Sequence, residues 1–367
     1  MPEPLKNMFN PQSVTALGEA IQSNYPAFDL AGFKTAVFTP NWESLELKQR
    51  MRHIATSLRP FLPADYGEAL AILSQALPLL NEQSFEKMVF PDFVEVFGLD
   101  DYETSIPALE YFTQFMSAEF AIRPFIHHYP QQTMQQMLAW SHHEHSGVRR
   151  LASEGCRPRL PWGMGLPVLK ADPSPILPIL EHLKNDKSES VRRSVANNLN
   201  DISKDNPDLV IAVLQRWQTD NNDEIRQITS HALRTLIKQG HPAALEMLGY
   251  PSGAAIQIRN FVIEPEIIPF NGSLTFSFEI AAESNQLQDL IIDYVVHLLR
   301  ANGQQTPKVF KLAKKSIQPG ETLTIRKKHG FAPVTTRTYY PGEHALELKI
   351  NGQLFNRTPF MLSEETE

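Results

Sequence analysis

The stretch LASEGCRPRLPWG, residues 151–163, concentrates groups that act on charge. It holds one carboxylate, Glu154, two permanent cations, Arg157 and Arg159, and one large aromatic plate, Trp162. A carboxylate stabilises developing positive charge or orients water, a guanidinium grips phosphate, and an indole stacks on a flat or cationic ring. The segment begins as an amphipathic helix, meets Gly155, and runs through Arg157-Pro158-Arg159-Leu160-Pro161, whose prolines stiffen it and preorganise its side chains. Taken singly, each residue also has a plainer use. Glu154 can pair with Arg150 four residues back or Arg157 three ahead, and Trp162 can anchor the segment to a core.

Other chemistries have weaker signatures. His142-His143-Glu144-His145 lacks the His-Glu-x-x-His spacing that sets two ligands on one helical face, so a hydrated helix end is expected and no metal. His127-His128 is no better placed, and Gly163-Met164-Gly165 lacks the lysine and hydroxyl of a phosphate loop. No dinucleotide fingerprint, Ser-His-Asp set or Cys-His pair has supporting spacing, and no cofactor is expected. Cys156 is the single cysteine, which excludes a disulfide framework and fits a reducing, cytoplasmic setting. The start, MPEPLKNMFN, has no apolar segment of a secretory signal, and no apolar run reaches membrane-spanning length, so no membrane role is expected.

The elements that must position these residues follow from two hydrophobic periods. Up to about residue 250 the period is helical, as in Leu70, Leu73, Leu77 and Leu80. Asp205-Asn206-Pro207 and, less cleanly, Ser105-Ile106-Pro107 read as helix starts. Beyond about 255 the period is two: Ser273–Ile280 alternates without a fault and His344–Ile350 nearly repeats it. Asn271-Gly272, Asn302-Gly303, Pro319-Gly320, Pro341-Gly342 and Asn351-Gly352 punctuate the strands. Within the helical part Val148-Arg149-Arg150, Val191-Arg192-Arg193 and Ile225-Arg226-Gln227 echo one another at steps of 43 and 34 residues, a range that suits paired-helix repeats of the HEAT type. Val191, Val195, Leu199 and Ile202 form an apolar stripe; Ser194, Asn197, Asn198 and Asp201 form a polar one. The expected architecture is multidomain, α then β: a HEAT-like helical solenoid over 1–250, then an immunoglobulin-like β-sandwich over 255–367.

The formal net charge of -7 argues at first against nucleic acid. It is unevenly spread, with 8 Lys and Arg against 16 Asp and Glu over residues 1–140, 14 against 13 over 141–250, and 12 against 12 beyond. Local basic patches are therefore compatible with the total. Residues 303–330 carry Lys308, Lys311, Lys314, Lys315, Arg326, Lys327 and Lys328 against Glu321 alone. This patch reads either as a salt-sensitive DNA clamp or as edge strands that lysines protect from aggregation.

Three segments, SAEFAIRPF (117–125), VRRLASEGCRPRLPW (148–162) and VANNLNDISKDNP (195–207), resemble the AlkC family of DNA alkylation-repair glycosylases, helical-repeat proteins related to AlkD. The resemblance covers the helical half and tolerates an appended immunoglobulin-like domain. It implies hydrolysis of the N-glycosidic bond of cationic alkylated bases, notably 3-methyladenine and 3-methylcytosine, in double-stranded DNA without full base flipping. It also implies that Glu119, Glu154, Trp162 and Asp201 face the lesion. Asp201 and Glu154 are then assigned electrostatic and water-positioning work, Glu119 supports them, and Trp162 stacks. Arg149, Arg150, Arg157, Arg159, Arg192, Arg193 and Lys204 are expected to hold the DNA backbone, offsetting the repulsion between acids and phosphates. The chain is read as a monomer acting on a nucleoid-associated substrate in a bacterial-type cytoplasm. Rival readings are a non-catalytic helical-repeat scaffold and a lesion sensor that binds without chemistry.

Overall fold

A computed structural model describes residues 4–220, 222–250, 253–332 and 337–363. Among these, sixteen α-helices run from Pro11 to Met247 and eight β-strands from Ile256 to Leu362. No helix among the described residues is long and apolar enough to cross a membrane. The chain divides into two compact units, the first ending at Ala232 and the second starting at Leu233, with residues 211–215 grouped with the second. The last two helices, Arg234–Gln239 and Pro242–Met247, therefore belong with the strands although their secondary structure is helical.

Short polar side chains set where helices begin. Asp29, Asp65 and Asp101 each accept from the backbone N–H three residues on, at 2.9, 2.8 and 3.2 Å. The helix Pro207–Trp217 begins at the expected proline. Ser105-Ile106-Pro107, expected as a start, lies instead inside Tyr102–Phe112, because Asp101 caps that helix earlier and Ser105 turns its hydroxyl to the Gly98 carbonyl at 2.8 Å.

The echoed motifs open three helices, Ser146–Glu154, Glu189–Ile202 and Asp223–Ala232, and the middle one packs against both others. Val148, Val191 and Ile225 take the same place and are buried, and Val195, Leu199 and Ile202 complete the stripe. Burying each such side chain contributes about 1.5–3 kcal/mol. Of the polar stripe, Ser194, Asn198 and Asp201 are buried as well, and Asn197 is half-buried.

The strands are β1 (Ile256–Glu264), β2 (Ile267–Ile268), β3 (Ser273–Ala282), β4 (Gln288–Leu299), β5 (Gln305–Ile317), β6 (Thr322–Gly330), β7 (Gly342–Ile350) and β8 (Gln353–Leu362). They form two sheets, ordered β1-β3-β6 and β2-β8-β7-β4-β5. Leu274, Phe276, Phe278 and Ile280 of β3 face Tyr294, Val296, Leu346, Leu348 and Ile350 in one core. At the β7–β8 turn, Asn351 and Gly352 both adopt positive φ, 45° and 85°, as a two-residue hairpin demands. Asn351 also accepts from the Ile291 N–H at 2.8 Å, fastening β4 to the turn.

Candidate active site

Three carboxylates come together in the first unit. Glu154 is the last residue of Ser146–Glu154, Asp201 lies one residue from the end of Glu189–Ile202, and Glu119 precedes the helix Ile122–His128. One guanidinium joins the first two: Arg157 Nη1 donates to Glu154 Oε1 at 2.6 Å and Arg157 Nε to Asp201 Oδ2 at 2.9 Å. Lys204 Nζ lies 3.0 Å from the other Asp201 oxygen. Arg150 Nη2 sits 2.8 Å from Glu119 Oε2 and 3.8 Å from Glu154 Oε1. The result is one run of alternating charge, Glu119–Arg150–Glu154–Arg157–Asp201–Lys204, with three acids and three bases.

The physical reason for this pairing is position. A helix C-terminus carries partial negative charge, so an acid there is disfavoured by about 0.3–1 kcal/mol before burial is considered. Burial of an unpaired carboxylate costs several kcal/mol more. Cations at every joint offset both effects. Burial works against the charge on Arg157, but Glu154 and Asp201 outweigh it and raise its pKa. Hydroxyls complete the shell: Ser194 Oγ donates to Glu154 Oε2 at 2.6 Å, and Ser153 Oγ to Ser194 Oγ at 2.6 Å. The side chains of Glu119, Glu154 and Asp201 are 17%, 6% and 2% exposed, so Glu119 is the acid most open to an incoming group. Its Oε1 is the one carboxylate oxygen of the network without a partner among the described residues.

The insertion after Glu154 presents the aromatic plate. Trp162 is 68% exposed and adopts φ +62°. A bulky residue in that region costs about 1–3 kcal/mol and persists only where its surroundings hold it. Arg123, fully buried, ties both ends of the insertion: Nε donates to Met164 O at 2.5 Å and Nη1 to Gly155 O at 2.8 Å. Burial lowers its pKa to about 10, which leaves it charged at neutral pH. A surface indole does not serve as a core anchor, which removes that reading of Trp162.

Known proteins similar to this chain share both its halves. A family model for DNA alkylation repair enzymes matches residues 84–239, and one for the C-terminal Ig-like domain of the uncharacterised protein YhaZ matches residues 257–364. The uncharacterized protein YhaZ of Bacillus subtilis strain 168 is 42% identical over 358 residues, spanning 98% of this chain and 99% of that one. The alkylpurine DNA glycosylase AlkC of Pseudomonas fluorescens, solved bound to DNA containing an abasic site analog, superposes with a TM-score of 0.93 at 38% identity, covering 99% of this chain and 100% of that one. The chain belongs to the AlkC family of DNA alkylation-repair enzymes.

In this AlkC-family chain several cations expected on DNA have other work. Arg149 makes a two-point pair with Asp186, Nε–Oδ2 2.5 Å and Nη2–Oδ1 2.9 Å, and its Nη1 holds the carbonyls of His143 and Glu144. Arg192 holds the carbonyls of Asp186 and Lys187 in the same way. In both repeats the arginine reaches back five and six residues to close its own interhelical loop, so the echoed arginine is a repeat-building device. Arg157 is buried and committed to two acids, through Nε to Asp201 and Nη1 to Glu154. Arg150 and Lys204 are half-buried members of the acid network. Arg159, forked onto Asp205, and Arg193, on Glu189, remain at the surface. The seven cations of the sandwich lie on β5 and β6, each an edge strand of its sheet. All but the half-buried Lys308 are exposed, and no carboxylate among the described residues comes within 4 Å of any of them.

The sequence offered little sign of Arg123, Ser153 or Ser194 as parts of the site. Arg123 and Ser153 stand inside family motifs and Ser194 in the polar stripe, and those are the signals the sequence carries. Cys156 is buried, and burial pushes its thiol up to about 12, so it is chemically quiet. His145 uses Nδ1 to cap the helix that ends in Glu154, accepting from Gly147 N–H at 3.1 Å.

Proposed function

We propose that this DNA glycosylase hydrolyses the N-glycosidic bond of cationic N-alkylated bases, 3-methyladenine and 3-methylcytosine in particular, in double-stranded DNA. The observation that carries this reading is the network of three carboxylates and three cations beside an exposed indole. A base methylated on a ring nitrogen is already positive. When its bond to C1′ breaks, the bonding electron pair goes to the base nitrogen and the base leaves neutral, so no strong general acid is required. The charge passes to the sugar as an oxocarbenium-like transition state. Water then forms the new bond to C1′ and gives up a proton to a carboxylate, leaving an abasic site.

The carboxylates stabilise the sugar cation, and preorganised charge of this kind is worth about 10²–10³ in rate per group. In this reading Glu119, whose Oε1 is open, meets the sugar or the water directly, and Glu154 and Asp201 act as fixed charges behind it. Because Arg150, Arg157 and Lys204 hold these acids in place before substrate arrives, little reorganisation accompanies the reaction. Trp162 stacks on the deoxyribose or the cationic base, where a cation–π contact contributes about 0.5–2 kcal/mol. An indole exposed at the surface reaches a nucleotide that has not left the duplex, which supports action without full flipping. Arg159, Arg193 and the basic edge of the sandwich are left for phosphates.

The test is release of methylated base from alkylated duplex DNA, read by mass spectrometry, with wild type beside Asp201→Asn. Release by wild type alone is expected. Release by neither, from folded protein, would favour the scaffold or sensor.

A further inference from the structure

We propose that Lys48, in the helix Leu47–Leu58, is the positioning residue that holds Trp162 in its working conformation. Five non-glycine residues in the described structure have positive φ, and four of them, Asn260, Asn271, Asn351 and Asn356, are asparagines. Asparagine tolerates the left-handed region because its short amide bonds to nearby backbone. Trp162, at φ +62°, has no such device. Glycine would fit the turn with less strain, so the indole is retained there against the local backbone preference, and something distant must hold it.

Lys48 supplies that hold. Its Nζ donates to the Trp162 carbonyl at 2.9 Å, a contact that joins residues 114 positions apart. The same ammonium sits 4.4 Å from the centre of the Phe120 ring. Phe120 follows Glu119, so one side chain gauges the indole against the segment that carries the most open acid. No carboxylate among the described residues lies within 4 Å of Lys48, so these two contacts, and not an ion pair, orient it. Arg123 fixes the ends of the insertion, and Lys48 fixes the residue at its tip. Lys48 is exposed, so its removal opens no cavity in the core.

This inference rests on Trp162 stacking against the lesion nucleotide. The experiment is a double-mutant cycle on single-turnover base release at saturating methylated duplex DNA, with DNA affinity and thermal midpoint measured beside it. Lys48→Met is expected to slow release about 3- to 10-fold, the worth of one hydrogen bond, with the thermal midpoint unchanged. DNA affinity is expected to change less than the rate does. Lys48→Arg, which retains a donor and a charge, is expected to recover most of the loss. In the Trp162→Ala background, Lys48→Met is expected to add nothing. A wild-type rate for Lys48→Met, or a full additional loss in the Trp162→Ala background, would overturn the role. If Trp162→Ala itself releases base at the wild-type rate, the stacking reading fails, and the Lys48 assignment fails with it. That outcome is distinct from a slow Trp162→Ala beside a normal Lys48→Met, which removes Lys48 alone.

Discussion

The acid network of the first unit and the basic edge of the sandwich use the same kinds of charge in opposite ways. In the network, Glu154 and Asp201 are buried and share Arg157. On the edge, Lys311, Lys314, Lys315, Arg326, Lys327 and Lys328 are exposed and form no ion pair with a described carboxylate, Lys311 standing across the β4–β5 ladder from Asp293. Buried paired charges are fixed before a substrate arrives and act as a field, which suits a transition state. Exposed charges hold counterions that a polyanion displaces, which suits capture. The sequence total of -7 conceals both.

The contrast is broken most forcefully at Arg157. Arg157→Met leaves two buried carboxylates without their shared cation and is expected to cost about 3–5 kcal/mol of stability, read by denaturant unfolding. The triple change Lys311→Gln, Lys314→Gln, Lys315→Gln is expected to cost almost none. An Arg157→Met protein as stable as wild type would mean that the acids are not held by pairing.

A second test uses the one strongly shifted histidine of the sandwich. Burial against Tyr294 and Phe331 pushes His329 down to about 4 from an ordinary 6.5. As pH falls through 6.5 the unfolded chain takes a proton that the folded sandwich refuses until about pH 4. Stability is therefore lost across that window, by roughly 3 kcal/mol, and this residue adds no further loss below it. His329→Gln is expected to flatten the loss. An unchanged slope between pH 6.5 and 4 would show that His329 is not buried neutral.

The smallest effect is on salt dependence. Each lysine of the triple variant that touches a phosphate is expected to reduce the slope of log K against log salt by about 0.9. An unaltered slope would leave these lysines as guards of an edge strand.

Much of the architecture was legible because burial imposes a period. Val191, Val195, Leu199 and Ile202 announce a helix face, Leu274 to Ile280 a strand, and Asn351-Gly352 a hairpin. The site was legible only in its members. That Glu154 and Asp201 meet through Arg157 depends on how two helices stack, which no local spacing encodes. Arg149 and Arg192 hold loop carbonyls, a use that sequence does not distinguish from serving a phosphate. Lys48 carried no signal at all, since its partner is 114 residues away.

The central claim is that the buried carboxylates act on the sugar cation and not on DNA capture. Single-turnover release of 3-methyladenine and 3-methylcytosine from methylated duplex DNA by Glu154→Gln, with DNA affinity measured in parallel, tests it most directly. The account predicts a fall of about 10²–10³ in the rate of release with affinity held or raised, because a negative charge leaves the site. Equal losses of release and affinity, or release at the wild-type rate, would contradict it.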